Sequence, residues 1–413
     1  MRQRPLPDKP RLLVITNALP DRRSSSGEQR LIRLCALLMD RCQVSVVATT
    51  PLADDETRAR AEYLRSLGAI VPEHRSTPAL RNTLIRNRYE GVIIEFWHVA
   101  LDALPSVRRW QPWARVVIDT VDLEFVRDAR GTDFSHGRDP SAISRRKELE
   151  LETYAMADGL IFVSGVEQGL YRTIRDRPEQ TWVVPNVVVL RSRTKKPRAP
   201  VLLFVGSFWH APNVDAIVWF TRELWPEIRN AFPDATLHVA GSHIWDKVAR
   251  LGDIPGVVVL GFVEDLAVAY DDAAVAVAPL RWGAGMKGKV CDALASAVPL
   301  VASTIGIEGL RLRPGTDVLV ADGPGDFVGA VTMLLNDQAK AERIGTAGQV
   351  AIGRQCLPAA IHPALGQVVD FLTEHRHSQL PKAWWARAAT REGVSAARRN
   401  AKRVRSWITP GSV

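Results

Sequence analysis

The chain has 413 residues, a length that accommodates two to three domains and at least two separate apolar cores. Hydrophobic residues make up 46% and charged residues 24%, ordinary globular proportions that exclude wholesale disorder and collagen-like or low-complexity classes. The net charge of +9 sits at one end: Arg376 to Val413 carry nine Lys or Arg against the single acid Glu392. The near-neutral remainder lacks the distributed basic face of a nucleic-acid binder.

Short continuous runs of Val, Ile and Leu open the chain: Leu12 to Ile15, Val44 to Val47, Val92 to Ile94, Val116 to Ile118 and Leu160 to Val163. Runs without alternation are what strands buried on both faces look like, and helical stretches such as Glu28 to Met39 and Asp55 to Leu67 lie between them. The pattern is βαβα, a doubly wound α/β domain over 1–190. His98, Asp119 and Asp122 stand at or just beyond expected strand ends, where they face a cleft; the same residues also suit structural or loop-capping roles. Cys35, Cys42, Cys291 and Cys356 form no CxxC pair and read as reduced thiols, pointing to a cytoplasmic protein. No stretch approaches the length of a membrane span, and Leu12 to Ile15 is too short for a signal segment.

Residues 191–199, basic and proline-bearing, read as a linker. A second βα series then runs through 200–360, with strands expected at Leu202 to Val205, Thr236 to Ala240, Val257 to Leu260, Ala274 to Ala278, Pro299 to Ala302 and Val318 to Val320. Helices are expected near Asn213 to Phe232, Lys287 to Ser296 and Asp326 to Leu335. Two tandem Rossmann-like domains place a ligand cleft between their sheet edges. A helix within 361–376 is expected to cross back onto the first domain. For 377–413 the sequence leaves two readings open. One is a basic amphipathic helix bearing Trp384, Trp385 and Trp407 on an anionic membrane surface; the other is a solvated, disordered tail.

The chemistry concentrates in Pro279 to Leu310. Gly283 and Gly285 open a helix after a strand, so free amides and the positive helix end point into the cleft, and Lys287 and Lys289 add two charges suited to a diphosphate. Gly283 to Lys289 also fits a P-loop skeleton, but Val290 replaces the hydroxyl that would hold magnesium. Read as a dinucleotide GxGxxG, the same run stands at the wrong strand. Asp292, a turn beyond Lys289, suits a ribose diol or a surface pair with Lys289.

With its flanks, the run GAGMKGK, Asp292, AVPLVAST and Gly306-Ile307-Glu308-Gly309 resembles the nucleotide-sugar site of GT-B glycosyltransferases of family 4. FVGSFWHAPNVDAIVWF (204–220), GFVED (261–265), DTVDLEFVRDAR (119–130), ADGLIFVSGVEQ (157–168) and VVPNVV (183–188) extend the resemblance over about 11–375. It implies a GT-B fold and transfer of a sugar from a nucleoside diphosphate-sugar, with retention and without metal or other cofactor, in cell-surface polysaccharide or glycoconjugate assembly. By the same resemblance, Gly283, Gly285, Lys287 and Lys289 hold the diphosphate, Asp292 the ribose and the backbone near Val263 the base, while Glu308 lines the donor pocket. Ser26 and Gly27 approach the donor phosphates unless they form an ordinary surface turn. His98 or Asp122 orients the acceptor hydroxyl, and Lys287 and Lys289 stabilise the leaving group. The acceptor expected is a glycan or, because the basic Trp-bearing tail would bring a cytoplasmic enzyme to an anionic membrane, a lipid-linked one met by an enzyme peripheral to that membrane.

Two departures stand out: Ala284 replaces the first acid of the family's Glu-x7-Glu pattern and Asp292 shortens the second, and Ser207 to His210 replace the cations common after the second domain's first strand. A nucleotide-sugar epimerase on the same fold and a non-catalytic nucleotide-sugar-binding scaffold remain alternatives.

Overall fold

A computed structural model describes residues 9–374 apart from 22, 24–25, 51–53, 73–78, 135–138, 176–179, 194–196 and 198. The tail considered above for 377–413 lies outside the described residues, as does part of the 191–199 segment. Among the described residues, twelve strands form two all-parallel sheets. The first contains β1 (Arg11–Thr16), β2 (Gln43–Ala48), β3 (Gly91–Glu95), β4 (Arg115–Asp119), β5 (Gly159–Phe162) and β6 (Gln180–Val183), in the order β2-β1-β3-β4-β5-β6. The second contains β7 (Val201–Val205), β8 (Thr236–Ala240), β9 (Val257–Gly261), β10 (Val275–Ala278), β11 (Leu300–Ala302) and β12 (Leu319–Val320), in the order β12-β11-β10-β7-β8-β9.

Helices cover both faces of each sheet, which is why the strand runs are apolar throughout. In β1, Leu12 and Val14 join the core beneath the Ser26–Met39 helix, while Leu13 and Ile15 join the opposite core beneath the Trp97–Trp110 helix. The second sheet is divided in the same way, with Leu202 and Phe204 on one side and Leu203 on the other. Strand order reverses between β1 and β3 and between β7 and β10, and such switch points leave a crevice at the carboxyl edge of the sheet.

Two features depart from simple periodicity. The helical segment Ala211–Ala231 widens into a π-helical turn at Phe220–Leu224, next to Pro226, whose missing N–H cannot continue the regular ladder. The Pro358–Thr373 helix leaves the second domain and buries Ile361, Leu365, Val368 and Leu372 in the core of the first. There Arg115 donates to the Phe371 carbonyl at 2.9 Å, and Arg41 meets Asp370 at 2.5 Å. Among the described residues no helix is long and apolar enough to cross a membrane.

Candidate active site

The carboxyl edges of the two sheets enclose a cavity of about 720 Å³. The segment after β10 supplies its most distinctive wall. Gly283 and Gly285 adopt φ of 145° and 68°, values that a side chain would strain, and the chain then enters the Gly288–Ala295 helix. Ser26, Gly27, His98, Asp122, Val263, Gly283, Gly285, Lys287, Lys289 and Asp292 all line this one cavity.

The two lysines differ in setting. Lys287 is buried; its ammonium donates to the Gly285 carbonyl at 2.8 Å and lies 3.6 Å from Glu308. Burial pulls its pKa down, partly opposed by Glu308 and Glu167. Lys289 donates to the Asn213 amide oxygen and stands 4.8 Å from the Phe204 ring centroid. Burial, reinforced by the like charge of Lys287, lowers its pKa to about 7. Lys289 thus turns to Asn213, not to Asp292. Burial raises Asp292 to about 6, with Arg33 and Arg191 opposing.

On the opposite wall, His98 stacks on Phe96 with ring centroids 5.3 Å apart, and its Nδ1 is 3.7 Å from Glu124. Burial lowers its pKa, so the imidazole is neutral at pH 7. Asp122 is taken by Arg127, and its Cβ stands where a side chain on Gly285 would begin, at 2.8 Å. Phe96 and Val121, just past β3 and β4, hold φ of 68° and 61°, strained values for residues with a Cβ, and both line the cleft. Two expectations need correction. Asp119 does not face the cleft: it is buried and bonded to Arg30 at 2.6 Å, because that guanidinium, held also by the Val184 carbonyl, is itself buried and needs a counter-ion. Nor does Glu308 line the cavity, since Arg130 takes both its carboxylate oxygens, at 2.7 and 2.8 Å.

Residues 199–337 match the family model described as Glycosyl transferases group 1. That match lies in the second domain and covers about a third of the chain. Similar solved structures include sucrose-phosphate synthase from Thermosynechococcus elongatus, with a TM-score of 0.67 at 17% identity over 88% of this chain and 99% of that one. Anabaena HepE, solved with UDP and glucose, superposes with a TM-score of 0.65 at 13% identity over 87% and 99% of the two chains. At these identities the likeness establishes the fold, which is GT-B. A Klebsiella pneumoniae protein described as an uncharacterized 44.6 kDa protein in the cps region is 26% identical over 129 residues, 29% of this chain and about a third of that one (33%).

Several residues in and behind the walls of the cleft escaped the sequence reading. Glu124, Arg127 and Arg130 lie three residues apart on one face of the Glu124–Arg130 helix, a spacing visible in DTVDLEFVRDAR. Glu167, in SGVEQ, accepts the Gly285 amide at 2.9 Å and the Leu123 amide at 3.0 Å, which fixes the glycine loop against the first domain. Burial raises its pKa to about 7. Glu95, bonded to the Thr16 hydroxyl at 2.6 Å, is pushed up by burial to about 8. No local pattern marks Glu167 or Glu95, whose roles come from tertiary placement.

Proposed function

We propose that the protein transfers a sugar, with retention, from a nucleoside diphosphate-sugar to a glycan or lipid-linked acceptor in cell-surface polysaccharide or glycoconjugate assembly. The reading is carried by one observation: the glycine loop, the amino end of the Gly288–Ala295 helix and two lysines meet in the interdomain cavity. The diphosphate lies on that loop, the ribose at Asp292 and the base near Val263. As the anomeric C–O bond to phosphate breaks, Lys287, Lys289 and the helix end stabilise the negative charge that develops. The acceptor oxygen forms the new bond on the same face, and its proton goes to the departing phosphate. His98 orients the acceptor hydroxyl; Asp122, held by Arg127, shapes its seat. Neither a metal nor another cofactor takes part.

An epimerase would need free carboxylates around the sugar. Here Asp122 and Glu124 face Arg127, Glu167 accepts two amides and Glu308 is held by Arg130, which favours transfer. The relative from a cps region supports polysaccharide assembly as the setting. The cytoplasmic face of a membrane is the location we assign, reached through the basic segment after residue 376.

The test is calorimetry with UDP, GDP, ADP and dTDP on wild type and on the Lys287→Ala, Lys289→Ala double variant. Charged contacts of this kind are worth about 1.5–3 kcal/mol each, so the double variant is expected to weaken the preferred nucleotide by about a hundredfold or more. Failure of wild type to bind any of the four would overturn the assignment. Binding without transfer or donor turnover would favour the scaffold.

A further inference from the structure

Beyond the cavity, the second domain holds two indoles in the open. Trp209, in the loop after β7, is 46% exposed, and Trp245, in the loop after β8, is 45% exposed. Their ring centroids lie 6.2 Å apart with planes inclined at 31°, and the His243 ring sits 5.7 Å from Trp209. Trp209 lines the cavity; Trp245 stands beside it, outside the lining. Exposed aromatic surface of this kind on a folded domain is commonly a contact surface.

The backbone beneath these rings and the Trp245 indole are held in place. The two loops are bound backbone to backbone: Gly206 N–H donates to the Ala240 carbonyl at 3.0 Å and Phe208 N–H to the Ser242 carbonyl at 2.9 Å. The Trp245 indole N–H donates to the Phe208 carbonyl at 3.0 Å, and the Ser242 hydroxyl reaches Ser207 at 3.3 Å. The approach is so close that a Cβ on Gly241, at φ 151°, would fall 1.7 Å from the Gly206 carbonyl oxygen. His243 holds φ 59°, a conformation that residues with a Cβ avoid, so the loop carries strain to keep this arrangement.

We infer that Trp209 and Trp245 form a shelf for a pyranose ring of the acceptor glycan, an inference that rests on the transferase reading above. A pyranose has one face of C–H groups and a rim of hydroxyls. The shelf offers aromatic faces edged by the Ser207 and Ser242 hydroxyls and the His243 ring, a match in both chemistry and layout. The 31° inclination leaves no parallel slot between the two indoles for a flat nucleobase.

The full chain is titrated with maltohexaose, cellohexaose and chitohexaose by saturation-transfer NMR, and with the four nucleoside diphosphates by calorimetry. Wild type is expected to bind at least one hexaose, with saturation strongest at ring C–H protons. Trp209→Ala and Trp245→Ala weaken that binding at least tenfold, whereas Trp245→Phe, which keeps a ring, stays within about threefold. Nucleotide affinity is unchanged in both Trp245 variants, since Trp245 is not among the residues that line the cavity. The shelf is overturned if no hexaose binds wild type, if the alanine variants bind as well as wild type, or if Trp245→Ala loses nucleotide instead. Nucleotide binding by wild type is scored separately, so hexaose binding without it would sink the transferase reading and leave the shelf standing.

Discussion

Among the residues of the cleft, Lys289 has a setting that responds to pH in the neutral range. Its contacts are an amide oxygen, a ring face and the neighbouring charge of Lys287, and it titrates near 7. A bound diphosphate supplies the opposite charge and raises that pKa, so binding takes up a proton wherever the free ammonium has been lost. The sign follows: affinity holds below about pH 7 and falls above it, by up to about tenfold per pH unit until the pKa of the complex is passed. Calorimetry from pH 6 to 9 in two buffers of different ionisation enthalpy measures both the fall and the proton uptake. Lys289→Ala is expected to bind more weakly and to lose most of this slope; a wild-type affinity that is flat from pH 7 to 9 would show that Lys289 does not meet the phosphate.

At the scale of elements, the Glu124–Arg130 helix shows how one secondary structure is held for its side chains. Its first residues carry no local cap; instead Glu150, from the Pro140–Tyr154 helix, accepts the Glu124 and Phe125 amides at 3.0 and 2.9 Å and the Tyr154 hydroxyl at 2.9 Å. Removing such a buried acceptor leaves donors unsatisfied, so Glu150→Ala is expected to lower stability by about 2 kcal/mol in urea unfolding. Glu150→Gln, which retains an acceptor oxygen, should lose less. Equal losses in the two variants would mean that packing, not capping, is what Glu150 supplies. The contrast between this helix and the strands explains what was legible in the sequence. Strand runs such as Val44 to Val47 announce themselves because both faces are buried; the edge strand β6, four residues with one side half open, does not. The glycine loop and its lysines are contiguous and so could be read. Their partners Glu167 and Arg130 arrive from the other domain, and no spacing encodes that meeting.

For the whole molecule, three glycines mark where the two domains meet most tightly. Added Cβ atoms would lie 2.8 Å from Asp122 at Gly285, 2.0 Å from Ser26 at Gly288 and 2.8 Å from Ser164 at Gly309, each contact crossing between domains. Arg130 strengthens the junction, reaching the Gly283 carbonyl at 2.8 Å as well as Glu308. Closure brings the donor loop to the acceptor wall, so a side chain at the junction should separate binding from catalysis. Gly288 is the first residue of its helix, has an ordinary helical backbone and tolerates alanine, so Gly288→Ala should leave the domain as stable as before. Its methyl, however, cannot share space with Ser26. The expected result is nucleotide affinity within a few-fold of wild type, a larger radius of gyration by small-angle scattering and turnover reduced at least tenfold. Ser26→Gly removes both atoms in conflict, so the Ser26→Gly, Gly288→Ala double variant should recover compactness and part of the turnover. Wild-type turnover in Gly288→Ala, or an open double variant, would mean that this junction does not govern closure.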